Sequence, residues 1–276
     1  MKMVMENTIN VTTFNSLNNP DHRDERVEIL FKEIEEHGSH IVLLQEVLQD
    51  TFPILQAKAI EKGWYVSEGE RTSYNPSKLS GNVTLSRFPI ESQLIFPCFI
   101  CEGKPHVQTL ITHLVNNVTI INAHLPWGAH SELDRLDTVY RINQYAELLK
   151  EQEPDRLIIF GGDFNATLDS STLRYLNGNL LYKETSTFWT NSWEFSEQVF
   201  PTARKEGGWA ENTAKSVGIR RPELMPNRTI DHLLTYGWNY GKKHSPLSLR
   251  KFGEYNLSNG YGLSDHYGLT IEITLD

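Results

Sequence analysis

Eight polar side chains are spread along this chain: Asn15, Glu46, His124, Asp163, Asn165, Asp231, Asp265 and His266. They are of the types that hold a divalent cation and hydrolyse a phosphate ester. They fall in six short signatures, each at the edge of an apolar, strand-like run. The signatures are Thr13-Phe14-Asn15, Leu44-Gln45-Glu46-Val47, Asn122-Ala123-His124-Leu125, Gly161-Gly162-Asp163-Phe164-Asn165, Thr229-Ile230-Asp231-His232 and Ser264-Asp265-His266. Each alone reads equally well as a turn, a helix start or a surface histidine. The ordered series points to chemistry.

Glu46 follows the apolar run Ile41 to Leu44, where a carboxylate is costly unless it is paired or bound to a cation. Asp163 and Asn165 flank Phe164, so their side chains share one side if the segment stays extended. The glycines before them allow a sharp turn or close approach to a ligand. An aspartate there can orient a water or ligate metal, and an asparagine amide can donate to a phosphate oxygen. Asp265 and His266 are adjacent and project to opposite sides of an extended chain, so they serve different partners. Asp265 suits the cation; His266 suits the substrate phosphate or the attacking water. A histidine acting as base needs a separate carboxylate to fix its tautomer, and Asp231 is the candidate. His124 can donate to a non-bridging oxygen as charge builds. Asn15 can orient Glu46 or contact the cation. His232 and His244 lack partners at metal spacing and read as structural or exposed. No His-Glu-x-x-His, Gly-x-Ser-x-Gly or Walker-type loop is present.

These residues need positioning elements. Ile9 to Phe14 alternates like a strand. Asp21 to His37 has helical spacing of Val27, Ile29, Leu30, Phe31 and Ile34, with Gly38 as C-cap. Ile41 to Leu44 and Leu157 to Phe160 are short continuous apolar runs, the pattern of strands covered on both faces. Thr51 to Lys62 reads as a second helix. Trp64 to Val118 reads as a meander of short antiparallel strands, and Val118 to Asn122 as a further strand. Ser131 to Lys150 reads as an amphipathic helix burying Leu133, Leu136, Val139, Tyr140, Tyr145, Leu148 and Leu149. Tyr182 to Trp209 is aromatic-rich without regular period; its rings read as core or lid before they read as a stacking wall. Two late strands fall at Ile230 to Leu234 and Leu269 to Ile273. Two rounds of strand–helix–strand imply an α/β fold of four layers, two mixed β-sheets flanked by helices.

The 276 residues form one expected domain, 1–276, because the signatures run nearly end to end. The formal charge of −9 lowers the odds of non-specific duplex DNA binding without excluding nucleic acid. Two cysteines, Cys98 and Cys101, make no disulfide framework, which suits a reducing compartment. No apolar leader or membrane-spanning run is present, so the default expectation is cytoplasmic. Oligomeric state is not legible.

On these six signatures the chain resembles the endonuclease/exonuclease/phosphatase superfamily, also called DNase I-like. Its members include pancreatic-type deoxyribonucleases, abasic-site endonucleases, tyrosyl-DNA phosphodiesterases, neutral sphingomyelinases and inositol-polyphosphate phosphatases. Leu85-Ser86-Arg87-Phe88-Pro89-Ile90 is similar to the strand between the second and third family motifs. The resemblance implies a phosphoesterase using Mg²⁺, with Mn²⁺ as an alternative ion, held principally by Glu46 with Asn15 and Asp265 nearby. It implies that Asp163 positions the water, Asn165 contacts the phosphate and His124 stabilises developing charge. His266, oriented by Asp231, is the other imidazole, as base or as phosphate ligand. A phosphodiester is the favoured substrate. The stretch Ser264 to Leu269 is similar to tyrosyl-DNA phosphodiesterases, so the alternative is a nuclease or DNA-processing enzyme of that kind. A binding module without catalysis is the remaining reading, disfavoured because no motif residue is missing.

Overall fold

The structure, a computed structural model, describes residues 7–72, 79–96, 100–101, 104–105, 109–205, 208–209 and 226–276. Cys98 and part of the expected 64–118 meander lie outside the described residues. The elements in chain order are β1 (Thr8–Asn15), α1 (Arg23–Glu36), β2 (Ile41–Leu48), α2 (Phe52–Glu61), β3 (Tyr65–Glu68), β4 (Ser80–Ser86) and β5 (Ile90–Ile95). There follow β6 (Ile100–Cys101), β7 (Lys104–Pro105), β8 (Thr109–Leu114), β9 (Val118–His124), α3 (Glu132–Gln152), β10 (Leu157–Asp163) and α4 (Ser171–Leu176). The last are β11 (Trp189–Asn191), β12 (Asp231–Tyr236), β13 (Pro246–Phe252) and β14 (Gly268–Thr274).

Two six-stranded sheets carry the molecule, in the orders β13-β14-β1-β2-β4-β3 and β11-β12-β10-β9-β8-β5. Each has one parallel pair at its centre, β1 with β2 and β9 with β10, and antiparallel strands around it. The expected meander is corrected here: β3 and β4 belong to the first sheet, whereas β5 and β8 belong to the second. The chain crosses between sheets over Arg87 to Pro89. Among the described residues of Tyr182 to Trp209 are a three-residue strand and a 3₁₀ turn over Ser192–Phe195. Trp189, Trp193 and Trp209 are buried, as core rings.

Alternation explains the layers. On β2, Ile41 and Leu43 face the opposite sheet, while Val42 and Leu44 face α1 and α2. On β10, Leu157 and Ile159 face inward, and Ile158 and Phe160 meet α3 and α4. Both faces are covered, which is why these strands read as continuous apolar runs. α3 buries Leu136, Val139, Ile142 and Ala146. Leu133 and Leu148, expected on its apolar face, are 71% and 56% exposed, so the stripe is narrower than the sequence implied. Gly161 and Gly162 lie inside β10, not in a turn after it. A Cβ on Gly162, at φ +141°, would sit 1.8 Å from the Ala123 carbonyl oxygen, so glycine lets neighbouring strands approach. No helix among the described residues is long and apolar enough to cross a membrane.

Candidate active site

The inward rows that form the inter-sheet core turn polar at one end of the molecule. Along β1 the row Ile9, Val11 ends in Thr13 and Asn15; along β10 the row Leu157, Ile159 ends in Gly161 and Asp163. Both parallel pairs deliver their C-terminal ends to this edge, the usual place for ligands in open α/β sheets. Asp163 stands opposite His124 on β9 and opposite Asp231 on β12 in register. Sheet pairing therefore brings together three residues far apart in sequence.

Asn15 joins the two sheets. Its Nδ2 donates to Glu46 Oε1 at 3.1 Å and to Asp163 Oδ2 at 3.0 Å, while its Oδ1 accepts from the Leu17 amide. With both ends of the amide engaged, Asn15 orients the two carboxylates. Glu46 reaches the site through a β-bulge: pairing of β2 with β4 shifts between Leu44 and Val47, and Glu46 has φ +59°. A positive φ is uncommon for a residue with a Cβ, and here it aims the carboxylate. Glu46 Oε2 also accepts from the Asn18 amide at 2.9 Å.

His124 Nε2 lies 3.8 Å from Glu46 Oε1 and 3.6 Å from Asp163 Oδ2. His266 Nε2 lies 3.8 Å from Asp163 Oδ2, and its Nδ1 is 2.9 Å from Asp231 Oδ2. Asp231 is fully buried. Burial acts against a charged His266, but Asp231 and Asp163 outweigh it and hold the imidazole well above its ordinary range. Ligand atoms of Glu46, His124 and Asp163, and likewise of Asp163, Asp231 and His266, fall within 4.8 Å of one another. Two carboxylates sharing one amide, with no Lys or Arg ion pair to either among the described residues, make a site a hard cation fits.

Two expected residues stand differently. Asn165 has φ +49° and its amide donates to Asp163 Oδ1, so the segment turns and does not stay extended. Its side chain donates to the Leu125 carbonyl at 3.0 Å. Asp265 is outside both tight groups, although its field is felt by His266 and by Arg26.

Buried polar residues behind these groups hold them in place. Gln45 and Asn122 lie on inward rows and meet across the sheets, Gln45 Nε2 to Asn122 Oδ1 at 2.9 Å. Asn82 Nδ2 donates to the Asn122 carbonyl, and Asn122 Nδ2 donates to carbonyls of Leu44 and Val83. Arg26, buried under the site, donates to the carbonyls of Ser16, Leu17, Asn19 and Leu263, and burial lowers its pKa to about 10. It fixes the loop whose Asn18 amide holds Glu46. Thr202 Oγ1 accepts from the amides of Ile230 and Asp231, and Ala203 bridges to His266. Residues 202–204 thus tie both late signatures together. Alternation counted outward from the apolar core positions would have found Gln45 and Asn122; Thr202 leaves no comparable signal.

A family model described as Endonuclease/Exonuclease/phosphatase family matches residues 12–266. The chain belongs to this family of phosphoesterases. Solved structures share its fold across nearly all of both chains. A humanized D. rerio TDP2 carrying 14 mutations is 15% identical, covers 98% of this chain and 100% of its own, and has a TM-score of 0.69. A Bacteroides vulgatus endonuclease/exonuclease/phosphatase is 16% identical, with coverages of 98% and 99% and a TM-score of 0.67. The human Nocturnin catalytic domain with bound sulfate is 14% identical, with coverages of 99% and 96% and a TM-score of 0.64. No curated protein matches by sequence. The family confirms a phosphoesterase built as two mixed sheets flanked by helices, the DNase I-like arrangement.

Proposed function

We propose that this phosphoesterase, acting as one domain over residues 1–276, is Mg²⁺-dependent and hydrolyses a phosphodiester by direct attack of water. The observation that carries the reading is the convergence of Glu46, His124, Asp163 and His266, from both sheets, within 4 Å contacts. Glu46 would hold the cation principally, with Asp265 nearby and Asn15 aligning the carboxylate. A bound Mg²⁺ would supply charge neutralisation at the phosphoryl oxygens. Mn²⁺ would serve by the same donors.

The chain's own residues divide the remaining work. Asp163 orients the water and takes its proton as the water oxygen bonds to phosphorus and the ester oxygen leaves. His266, kept cationic by Asp231 and Asp163, and His124 donate to non-bridging oxygens as negative charge builds. Asn165, beside Asp163, completes the phosphate contacts. On this reading His266 serves as phosphate ligand in preference to base. No covalent enzyme intermediate forms. Likeness to D. rerio TDP2 solved with a single-strand DNA product, 17% identical at a TM-score of 0.68, supports a second reading as a nuclease or tyrosyl-DNA-processing enzyme. Cytoplasmic residence fits the absence of a disulfide framework.

Hydrolysis of bis-p-nitrophenyl phosphate tests the reading. Turnover should require Mg²⁺ or Mn²⁺, vanish with chelator and fall about 10²–10⁴-fold in His266→Ala. Metal-independent turnover, or His266→Ala at wild-type rate, would end it. A panel including 5′-tyrosyl DNA, single-stranded DNA and inositol phosphates separates the two substrate readings.

A further inference from the structure

Three residues beyond His124 the chain presents an indole to solvent: Trp127 is 60% exposed. An exposed aromatic alone is ordinary. Two features set this one apart. First, the other five tryptophans each pack against a ring or a cation. Trp64 lies under Arg87, Trp189 against Phe160, Trp193 against Phe200, Trp209 against Tyr261 and Trp238 against Phe188. Among the described residues Trp127 alone has no such neighbour and no hydrogen bond.

Second, its loop is rigidly held by residues of the site. The Leu125 amide donates to the Asp163 carbonyl, and Leu125's own carbonyl accepts from Asn165 Nδ2. The buried Arg135 guanidinium donates to the carbonyls of Pro126 and Gly128, on either side of Trp127. Arg135 is fixed in turn by Glu132, which also accepts from the Thr172 amide and hydroxyl. A flexible loop could fold its indole onto the surface; here the backbone is held on both sides and the ring stands 60% exposed. Three residues span at most about 11 Å of chain, which puts Trp127 within reach of the rim of the site.

We infer that Trp127 is a stacking platform for a planar aromatic ring of the substrate, carried on one of the groups esterified to the scissile phosphate. A nucleobase and a phenolic ring share that chemistry. The inference rests on the phosphoesterase reading and narrows its substrate class. A bare sugar, inositol or alkyl phosphate would leave the indole uncovered. Stacking on an aromatic side chain typically strengthens binding about 5- to 100-fold per ring.

Calorimetric titration of the full chain in Ca²⁺ with thymidine 5′-phosphate, phenyl phosphate and ethyl phosphate tests this without turnover. The wild type should bind at least one aromatic ligand about fivefold or more tightly than ethyl phosphate, with quenching of tryptophan fluorescence. Preference for the thymidine ester identifies a nucleobase; preference for the phenyl ester identifies a phenol. Trp127→Leu should lose that preference and leave ethyl phosphate binding unchanged, while Trp127→Phe should keep most of it. Equal binding of all three ligands by the wild type would overturn the inference. So would a Trp127→Leu variant that keeps the preference, or one that loses ethyl phosphate equally. If the aromatic preference is present but no phosphodiester is hydrolysed, the catalytic reading fails and the platform stands.

Discussion

Two imidazoles lie on opposite sides of the start of β12, and their surroundings push them in opposite directions. Asp231 faces inward and holds His266 Nδ1 at 2.9 Å. The next residue, His232, faces outward, where Nε2 donates to the Ala166 carbonyl at 2.8 Å beside the Phe164 ring. Burial disfavours charge on both. Near His266 two carboxylates overcome it; around His232 burial dominates and lowers its pKa from 6.5 to about 4. Depth alone decides neither proton. The partner decides, and strand alternation chose the partner.

The signs of the pH dependence follow. The raised His266 contributes stability that is full below 6.5 and is lost as pH rises through its folded value. The lowered His232 contributes stability that is present above 6.5 and is lost as pH falls toward about 4, because only the unfolded chain binds the proton there.

Breaking the inner pair should have the largest effect. Asp231→Asn should lower kcat about 10²–10⁴-fold, about 3–5 kcal/mol of barrier, measured on the bis-aryl diester. Combined with His266→Ala it should cost little beyond either change alone, because the two act as a unit. Full additivity would separate them. Next, His232→Gln keeps a donor for Ala166 and removes the titration. Its unfolding free energy, followed by denaturant between pH 6.5 and 4, should lose up to about 3 kcal/mol less than the wild type. An unchanged acid slope would show that His232 is not buried in the neutral form. The smallest effect belongs to the segment 202–204: Thr202→Val removes the acceptor of two amides and should cost about 1–3 kcal/mol of stability. Its kcat should fall less than that of Asp231→Asn.

Much of this was written in the chain. The apolar runs of β2 and β10 announce strands covered on both faces, and the polar residues at their ends announce where side chains gather into the candidate site. Asp231 as the partner of His266 follows because Asp265, its sequence neighbour, points away from it. Other features depended on distant context. The Glu46 bulge is invisible in Leu44-Gln45-Glu46-Val47, because it exists only in register with β4. The turn at Asn165 replaced the expected extended segment because its amide found Asp163. Strands β4 and β5 read as one meander, since local pattern does not say which sheet a strand joins. The buried face of α3 is narrower than its leucines suggest, because Leu133 and Leu148 have the right type but the wrong angle.

The amide lattice of Gln45, Asn82 and Asn122 sits just behind Glu46, His124 and Asp163 and fastens one sheet to the other. Such a clasp resists shear: a one-residue slip of either sheet would strand several donors away from water. The floor of the cleft is therefore fixed geometry, common to any ester the enzyme cleaves. Selectivity has to be decided by the loops around the opening, so variants seeking a new substrate should be made there and the clasp left untouched.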